Sequence, residues 1–442
     1  MKPIRFEYEN TCQINTDELT NVFTQLLPAV EHITATRTTA YTTDYGSVNL
    51  PFDEDLLKTI ATTVKEKKSL HPTTLVVIGI GGSNLGTIAV LEALRGKFYN
   101  KDQDIAVYFA DTVDTDHFAD IAQLVELELE TGNNILVNVI SKSGNTTETI
   151  ANFEIFLEIL KNHRPYNYHQ FVVATTDENS PLWKLAHVEE FSLLTIPQYV
   201  GGRYSVFSAV GLFPLCFLGI DIKKLCQGAQ NGFAISTNKK FHENYAALSA
   251  SLIAAHYKSG RIIHDTFLFA VALESIGAWY CQLSGESLGK AFNKKNERIN
   301  IGLLPTISIG STDLHSVAQL YFAGPDNRFT SFVSIANNTS NLVLPNYQEY
   351  DALVSHIQGK SLANIMDAIL QGTKKAYAAD NRPFVSFILP EKSAYYIGQF
   401  MQIKMIEIMY VGYLLNINPF DQPEVERYKE ETRNILAKTS AL

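Results

Sequence analysis

The chain has 442 residues, of which 46% are hydrophobic and 19% charged, and its formal net charge is −10. This composition is typical of globular proteins and excludes a chain that is disordered throughout, while the length exceeds one ordinary core and predicts two domains. The negative charge argues against a broad basic face for nucleic acid, so an anionic ligand needs a local cluster of donors.

The cysteines and the apolar segments indicate a cytoplasmic protein without a membrane anchor. None of the four cysteines forms a CxxC pair, and their scatter does not suit a metal site, so reduced thiols are expected. The first ten residues are charged and lack the apolar stretch of a signal peptide. The longest apolar run, residues 209–220, contains Pro214 and is too short for a membrane span, which indicates core. The cysteines are Cys12, Cys216, Cys226 and Cys281.

The first half of the chain alternates between two patterns. Helical spacing covers residues 55–70, and the β-branched run at 74–80 predicts a buried strand before a helix at 87–96. Continuous apolar strands alternating with amphipathic helices predict a parallel sheet covered on both faces. The remaining elements are predicted as strand 104–110, helix 118–130, strand 133–140, helix 149–163 and strand 171–176.

A second α/β set begins near Asp265. Its first strand, at 266–272, precedes a helix that runs to about residue 290. Residues 303–324 read as strand, loop and helix, and residues 393–415 as a long, largely buried helix. Two further strands are predicted at 328–337 and 383–390. The sequence therefore predicts an α/β fold with two sheets.

Two turns in the first half lack bulky side chains. After the strand at 133–140 the chain reads SKSGNTTE, where hydroxyl groups, one lysine and a glycine precede a helix, which suits a phosphate; a simple helix cap is the alternative. The turn at 79–86, GIGGSNLG, fails the spacing of a dinucleotide loop and of a P-loop, so a nucleotide-dependent enzyme is disfavoured. A tight turn is its alternative.

A carboxylate and an amide lie on one predicted helical face. Gln282 and Glu286 are four residues apart. Small neighbours surround Glu286, so a substrate could approach it and it could act as a proton-transfer base. Without further context, a solvated helical glutamate explains Glu286 better.

Four other polar residues are candidates. Arg203 follows two glycines and could hold a phosphate or an oxyanion, or form only a surface ion pair. His315 is predicted in the first turn of a helix, where the dipole disfavours its charged form, and a structural histidine is the alternative. Residues 418–423 read as a turn after the long helix. Gln422 and Lys429 are seven residues apart, two helical turns on the same side, and a solvated C-terminal helix is the alternative.

These stretches, in this order, resemble the phosphoglucose isomerase family, and GGRYSVFSAVGLFPL and STDLHSVAQ are the most specific of them. The resemblance implies two sugar-isomerase (SIS) domains, each a three-layer α/β/α unit with a mostly parallel sheet, plus a C-terminal helical segment. The first, smaller domain is expected at 55–200. The second is expected to combine residues 1–54 with 201–442.

The resemblance also implies the reaction, which is the reversible isomerisation of D-glucose 6-phosphate and D-fructose 6-phosphate through an enediolate, in glycolysis and gluconeogenesis. It implies Glu286, Arg203, His315 and Lys429 as catalytic residues: the base, the enediolate-stabilising arginine, the ring-opening histidine and a C-terminal lysine. No metal or cofactor is expected. The substrate-binding residues it implies are Gly81, Gly82, Ser83, Ser141, Lys142, Ser143, Thr146, Gly202, Gln282 and Gln422.

The resemblance implies a cytoplasmic homodimer with shared active sites and no nucleic-acid or membrane partner. Two other functions stay open. A related substrate such as mannose 6-phosphate is one, because epimer choice depends on contacts that a sequence does not show. A sugar-phosphate sensor without turnover is the other, although a sensor need not keep Glu286, His315 and Lys429.

Overall fold

The computed structural model describes residues 2–439. The strands of this part of the chain are β1 (Arg5–Glu7), β2 (Pro72–Ile78), β3 (Ala106–Ala110), β4 (Asn134–Ile140), β5 (Val172–Thr176), β6 (Ser192–Thr195), β7 (Ile263–Leu268), β8 (Lys290–Phe292), β9 (Arg298–Ile301), β10 (Leu304–Ile309), β11 (Arg328–Asn337) and β12 (Phe384–Glu391). The α-helices are α1 (Thr16–Ala35), α2 (Glu54–Lys68), α3 (Leu85–Arg95), α4 (Thr115–Glu130), α5 (Thr147–His163), α6 (Pro181–Val188), α7 (Ala209–Phe217), α8 (Ile222–Ser236), α9 (Tyr245–Lys258), α10 (Glu274–Leu288), α11 (Thr312–Ser316), α12 (Ala318–Ala323), α13 (Leu362–Ala379), α14 (Ala394–Leu414) and α15 (Pro423–Thr439).

The first sheet has the order β3-β2-β4-β5-β6, and all its strands are parallel. Side chains of β2 alternate between two cores, as the strand pleat requires. Val76 and Ile78 share a core with α4 and α5. Leu75 and Val77 belong to a larger core that includes residues of α2 and α3. The predicted parallel sheet with both faces covered is confirmed.

The second sheet has the order β1-β12-β11-β7-β10, with β1 antiparallel to β12 and the other neighbours parallel. The strand predicted at 266–272 is β7, but it begins three residues earlier, at Ile263, and ends four residues earlier, at Leu268. Its second and third residues, His264 and Asp265, are polar but buried and hydrogen-bonded, so a hydrophobic pattern does not reveal them. The single helix predicted at the end of residues 303–324 is wrong, because two short helices, α11 and α12, follow β10.

Two predicted buried segments form the centre of the second half. The run at 209–220 contains α7, which is buried along its length and includes Pro214. Helix α14 is buried from Tyr396 to Gly412 and packs closely on α8. A Cβ on Gly398 would lie 2.0 Å from the carbonyl oxygen of Leu225, so only glycine allows this approach.

Each sheet lies on its own side of the boundary predicted at residue 200. Strands β2–β6 lie between residues 72 and 195, while the N-terminal strand β1 joins the sheet of β7 and β10–β12. The domain boundaries at 55–200, and at 1–54 with 201–442, stay a prediction. Between the two sheets, α10 packs on α3 and β10, which brings the first half's glycine turn close to the second half's helix.

Candidate active site

The turn at residues 141–146, here called the phosphate turn, connects β4 to α5. The Oγ of Ser141 accepts a hydrogen bond from the Gly144 amide at 3.1 Å and lies 2.9 Å from Thr146 Oγ1. Ser143 Oγ lies 3.4 Å from the same Thr146 oxygen. Gly144 has a φ of +67°, and a Cβ there would lie 2.6 Å from Ser180 Oγ, so the sharp turn requires glycine. The result is a compact group of three hydroxyls.

The helix-cap alternative fits this turn poorly. Thr146 occupies the N-cap position of α5, but its side chain accepts no hydrogen bond from the helix backbone. The hydroxyl contacts the two serines instead, so it does not satisfy the free amides of the first turn. An anion at this end of a 17-residue helix would meet those amides.

Lys142 brings a cation to the phosphate turn. Its side chain is half-buried, and its ammonium has no hydrogen bond or ion pair with any residue in the range 2–439. Burial lowers the pKa of Lys142, while Asp177 and Asp44 act in the opposite direction and Arg203 lowers it further. The phosphate turn therefore offers an anionic ligand a half-buried cation.

The glycine turn packs against the second half of the chain. Gly82 meets Gly202 so closely that a Cβ on Gly82 would lie 2.2 Å from the carbonyl carbon of Gly202. Gly81 has a φ of +60°, and a Cβ there would lie 3.0 Å from Gln282 Nε2. Ser205 Oγ also donates to the Gly82 carbonyl at 3.2 Å. The glycines therefore allow the two halves to meet where the site forms, while Ser83 stays half-buried beside them.

The carboxylate of Glu286 is held from both sides. Gln282 Nε2 donates to Glu286 Oε1 at 2.9 Å, and Arg203 Nη1 donates to Oε2 at 3.0 Å. The Glu286 side chain is 34% exposed, whereas its neighbours Ser284 and Ser287 are buried. A freely solvated glutamate is therefore the wrong interpretation, because each oxygen is oriented by a donor while about a third of the side chain stays exposed.

Arg203 lies at the centre of this arrangement and is 2% exposed. The surface ion-pair alternative is therefore wrong. Besides Glu286, its Nη1 donates to Gln422 Oε1 at 2.7 Å and its Nε to Ser287 Oγ at 2.8 Å. Its Nη2 donates to the carbonyl oxygens of Pro419 at 2.8 Å and Asp421 at 3.2 Å. These five hydrogen bonds use all five N–H groups of the guanidinium.

Gln422 reaches this cluster from outside a helix. The interpretation of Gln422 and Lys429 as one face of a helix is wrong, because α15 begins at Pro423. The segment before α15 is instead fixed by Arg203 and by Lys290, a residue that the sequence did not single out as functional. Lys290 Nζ forms an ion pair with Asp421 Oδ1 at 3.0 Å and is 6% exposed. We call Arg203, Gln282, Glu286, Lys290, Asp421 and Gln422 the base cluster.

His315 and Lys429 lie outside the base cluster. His315 is exposed, and no hydrogen bond or ion pair joins it to the rest of the described chain. Helix α11 has only five residues, with His315 in its last turn, so the first-turn dipole argument does not apply. Lys429 lies on the exposed helix α15 and pairs with Glu426 at 2.7 Å. Neither side chain contacts Glu286.

Among residues 2–439, no group of three or more His, Cys, Asp or Glu side chains is placed to hold a metal ion. No helix in this range is both long enough and apolar enough to cross a membrane.

Two mostly parallel sheets with an oriented carboxylate where the halves meet are the arrangement that the resemblance implies for a sugar-phosphate isomerase. The profile of the family described as phosphoglucose isomerase matches residues 55–441. The chain belongs to the phosphoglucose isomerase family.

Relatives of this chain align with it over most of its length. A glucose-6-phosphate isomerase of Acetivibrio thermocellus is 32% identical over 448 residues, covering 99% of this chain and 97% of the relative. A glucose-6-phosphate isomerase of Carboxydothermus hydrogenoformans is 32% identical over 403 residues, covering 89% of this chain and 85% of the relative. A hypothetical protein of Thermus thermophilus has a similar solved structure, with a TM-score of 0.85, 29% identity and coverage of 98% and 100%. A glucose-6-phosphate isomerase of Chlamydia trachomatis shares the fold, with a TM-score of 0.85, 22% identity and coverage of 99% and 89%.

Proposed function

We propose that this chain interconverts D-glucose 6-phosphate and D-fructose 6-phosphate at a site formed by the phosphate turn and the base cluster, with Glu286 as the base. The isomerase activity follows from the family. The observation that supports this site is the Glu286 carboxylate, which has one oxygen on Gln282 and the other on Arg203 and is still 34% exposed. A base must be both oriented and reachable.

The reaction moves one proton between adjacent carbons. After the sugar ring opens, Glu286 takes a proton from C2 of the aldose, and an enediolate forms. A proton passes from O2 to O1 of the enediolate, and the same carboxyl returns a proton to C1, which gives the ketose with its carbonyl at C2. The reverse sequence uses the same group, so a single base serves both directions.

The charges of the base cluster suit an enediolate. Two cations, Arg203 and Lys290, lie against two carboxylates, Glu286 and Asp421. When Glu286 accepts the substrate proton it becomes neutral, so the cluster gains one positive charge as the substrate becomes negative. Since every N–H of Arg203 already has a protein acceptor, its proposed effect is that of a fixed nearby charge.

The 6-phosphate is proposed to bind at the phosphate turn. Ser141, Ser143 and Thr146 supply hydroxyls and the first turn of α5 supplies amides. Lys142 supplies an ammonium that has no other partner among residues 2–439. Binding at the phosphate orients the reacting carbons towards Glu286, some distance away. The remaining proposed contacts to the sugar come from Gly81, Gly82, Ser83, Gly202, Gln282 and Gln422.

Ring opening is proposed to use His315 from the neighbouring subunit of a cytoplasmic homodimer, with Lys429 as a further catalytic residue. His315 is exposed and lies apart from Glu286 of its own chain. Large apolar side chains that follow it closely in the chain are also exposed: Leu320 by 55% and Val317 by 36%. Exposed apolar groups beside a polar residue suit a protein interface.

Subunit mixing tests the shared site. Neither Glu286→Gln nor His315→Ala homodimers should turn over substrate. If sites are shared, a one-to-one mixture refolded together should recover about a quarter of wild-type activity, because half the dimers are mixed and each has one complete site. No recovery, with mixed dimers demonstrated by differently tagged chains, would refute sharing.

The first experiment is turnover of fructose 6-phosphate, followed by a coupled glucose-6-phosphate dehydrogenase with EDTA present. Fast conversion is expected. Loss of turnover in EDTA would contradict the expectation of a metal-free reaction. Binding of fructose 6-phosphate without conversion would favour a sensor. Mannose 6-phosphate, assayed in parallel, decides whether the C2 epimer is also a substrate.

A further inference from the structure

Lys290 is a buried lysine at the end of the helix that carries Glu286. It begins β8, two residues after α10 ends at Leu288. Its ammonium donates to the main-chain oxygen of Glu286 at 3.0 Å and to that of Asp421. It also lies 3.0 Å from the Asp421 carboxylate. These three acceptors match the three N–H groups of an ammonium.

This lysine therefore joins two parts of the base cluster that are distant in the sequence. One is the last turn of α10, and the other is the segment 419–422 that precedes α15, about 130 residues further along the chain. Arg203 binds the same segment through the carbonyls of Pro419 and Asp421. Two buried cations thus hold one short segment, and that segment places Gln422 on Arg203.

The pKa of Lys290 is affected in opposite directions by its burial and by its contact with the segment. Burial lowers the pKa of this ammonium, and the hydrogen bond and charge of Asp421 act against that shift, while Arg203 adds to it. Without Asp421 the charge would be poorly compensated. The carboxylate and the lysine therefore depend on each other.

We propose that Lys290 is a positioning residue for the isomerisation: it fastens segment 419–422 to α10, so that Gln422 and Arg203 hold the Glu286 carboxylate in its working orientation. The inference rests on the proposed role of Glu286 as the base. Lys290 acts through these groups, because all three of its N–H groups already have protein acceptors.

The test replaces the lysine by an uncharged side chain of similar length, Lys290→Met. Misplacing a catalytic group by about 1 Å costs on the order of 10²-fold in rate, so kcat should fall by about that factor. The phosphate turn is untouched, so KM for fructose 6-phosphate and the inhibition constant of inorganic phosphate should each change by less than about threefold. Lys295→Met is the matched control, because Lys295 is exposed and its ammonium has no partner among residues 2–439.

A double variant separates positioning from general destabilisation. If Lys290 acts through the segment, Lys290→Met and Gln422→Ala disturb the same contact. The kcat of the double variant should then lie within about twofold of the kcat of the slower single variant. The inference would be overturned if the loss of kcat in the double variant equalled the product of the two single losses. A kcat of Lys290→Met within threefold of wild type would also overturn it.

Asp421→Asn covers the case in which Lys290→Met does not fold. The Asp421 side chain is half-exposed, and the asparagine keeps the main-chain acceptor, so this variant should fold. A kcat loss of about tenfold with unchanged KM is expected; unchanged kcat would overturn the inference. Glu286→Gln, measured separately, tests the base itself: if it retains turnover, the proposed function fails, whatever Lys290 does.

Discussion

The phosphate turn and the base cluster are built in opposite ways. In the turn, hydrogen bonds join side chains three and five residues apart, and the lysine has no partner among residues 2–439. In the cluster, Arg203 contacts Glu286 and Gln422, which lie 83 and 219 positions further along the chain, and it uses every donor. The difference indicates a division of labour: the turn keeps donors for a ligand, while the cluster uses its donors to fix one carboxylate.

The largest expected effect tests the cluster. Glu286→Gln keeps the shape of the side chain and removes its basicity, so kcat should fall by up to about 10⁴-fold. Fructose 6-phosphate binding, measured by calorimetry, should stay within about tenfold, since the turn is intact. Glu274→Gln, at the first turn of the same helix and paired with Lys97, is the control and should keep full turnover. Near-normal turnover of Glu286→Gln would remove it as the base.

Arg203→Lys should produce the next largest effect. A lysine offers three donors where the arginine uses five, so carbonyls of the 419–422 segment lose buried partners. We expect kcat to fall by about 10²-fold and the melting temperature to drop, with little change in the inhibition constant of inorganic phosphate. A change confined to that inhibition constant would indicate that Arg203 binds the phosphate rather than orienting Glu286.

The double variant Ser143→Ala with Thr146→Ala addresses the turn. Removing two hydroxyls should raise KM for fructose 6-phosphate by about tenfold and leave kcat nearly unchanged, because these contacts are the same in the ground and transition states. The control, Ser69→Ala with Thr131→Ala, removes two exposed hydroxyls whose hydrogen bonds go only to residues within four positions in the chain. An unchanged KM would place the phosphate elsewhere.

The smallest expected effect is a pH dependence of the turn alone. Burial lowers the pKa of Lys142, so its ammonium loses its proton at a lower pH than an ordinary lysine. As pH rises through that pKa, KM should increase several-fold, because the phosphate site loses its positive charge. The pH dependence of kcat should instead be set by the base cluster. Lys142→Arg keeps its charge at alkaline pH and should remove the rise in KM. A rise that persists in this variant would come from another group.

Prediction from sequence succeeded where a pattern is local and failed where a partner is distant. Strands β2, β4 and β11 were found because apolar, β-branched runs mark buried parallel strands. Strand β1 was missed because three residues, Arg5–Glu7, carry no such run, and only pairing with β12 makes them a strand. The missing start of β7 has the same cause, since buried His264 and Asp265 depend on partners from other elements.

The candidate site divides in the same way. The hydroxyls of the phosphate turn could be recognised because they follow one another in the chain. Lys290 could not be, because a lysine four residues after Glu286 is equally consistent with a solvated helix end. The helical interpretation of Gln422 failed since Arg203, far away in the sequence, holds its side chain before α15 begins.

The sequence by itself determined the two α/β sheets, the hydroxyl-rich turn and, through its motifs, the family. Those features depend on periodicity and on neighbouring residues, which the chain order carries directly. Only the tertiary structure decided that Glu286 is oriented rather than solvated, that Arg203 is buried rather than on the surface, and that Lys290 belongs to the site. The burial and hydrogen bonding of these charges depend on segments brought together by folding, and no local pattern specifies those contacts.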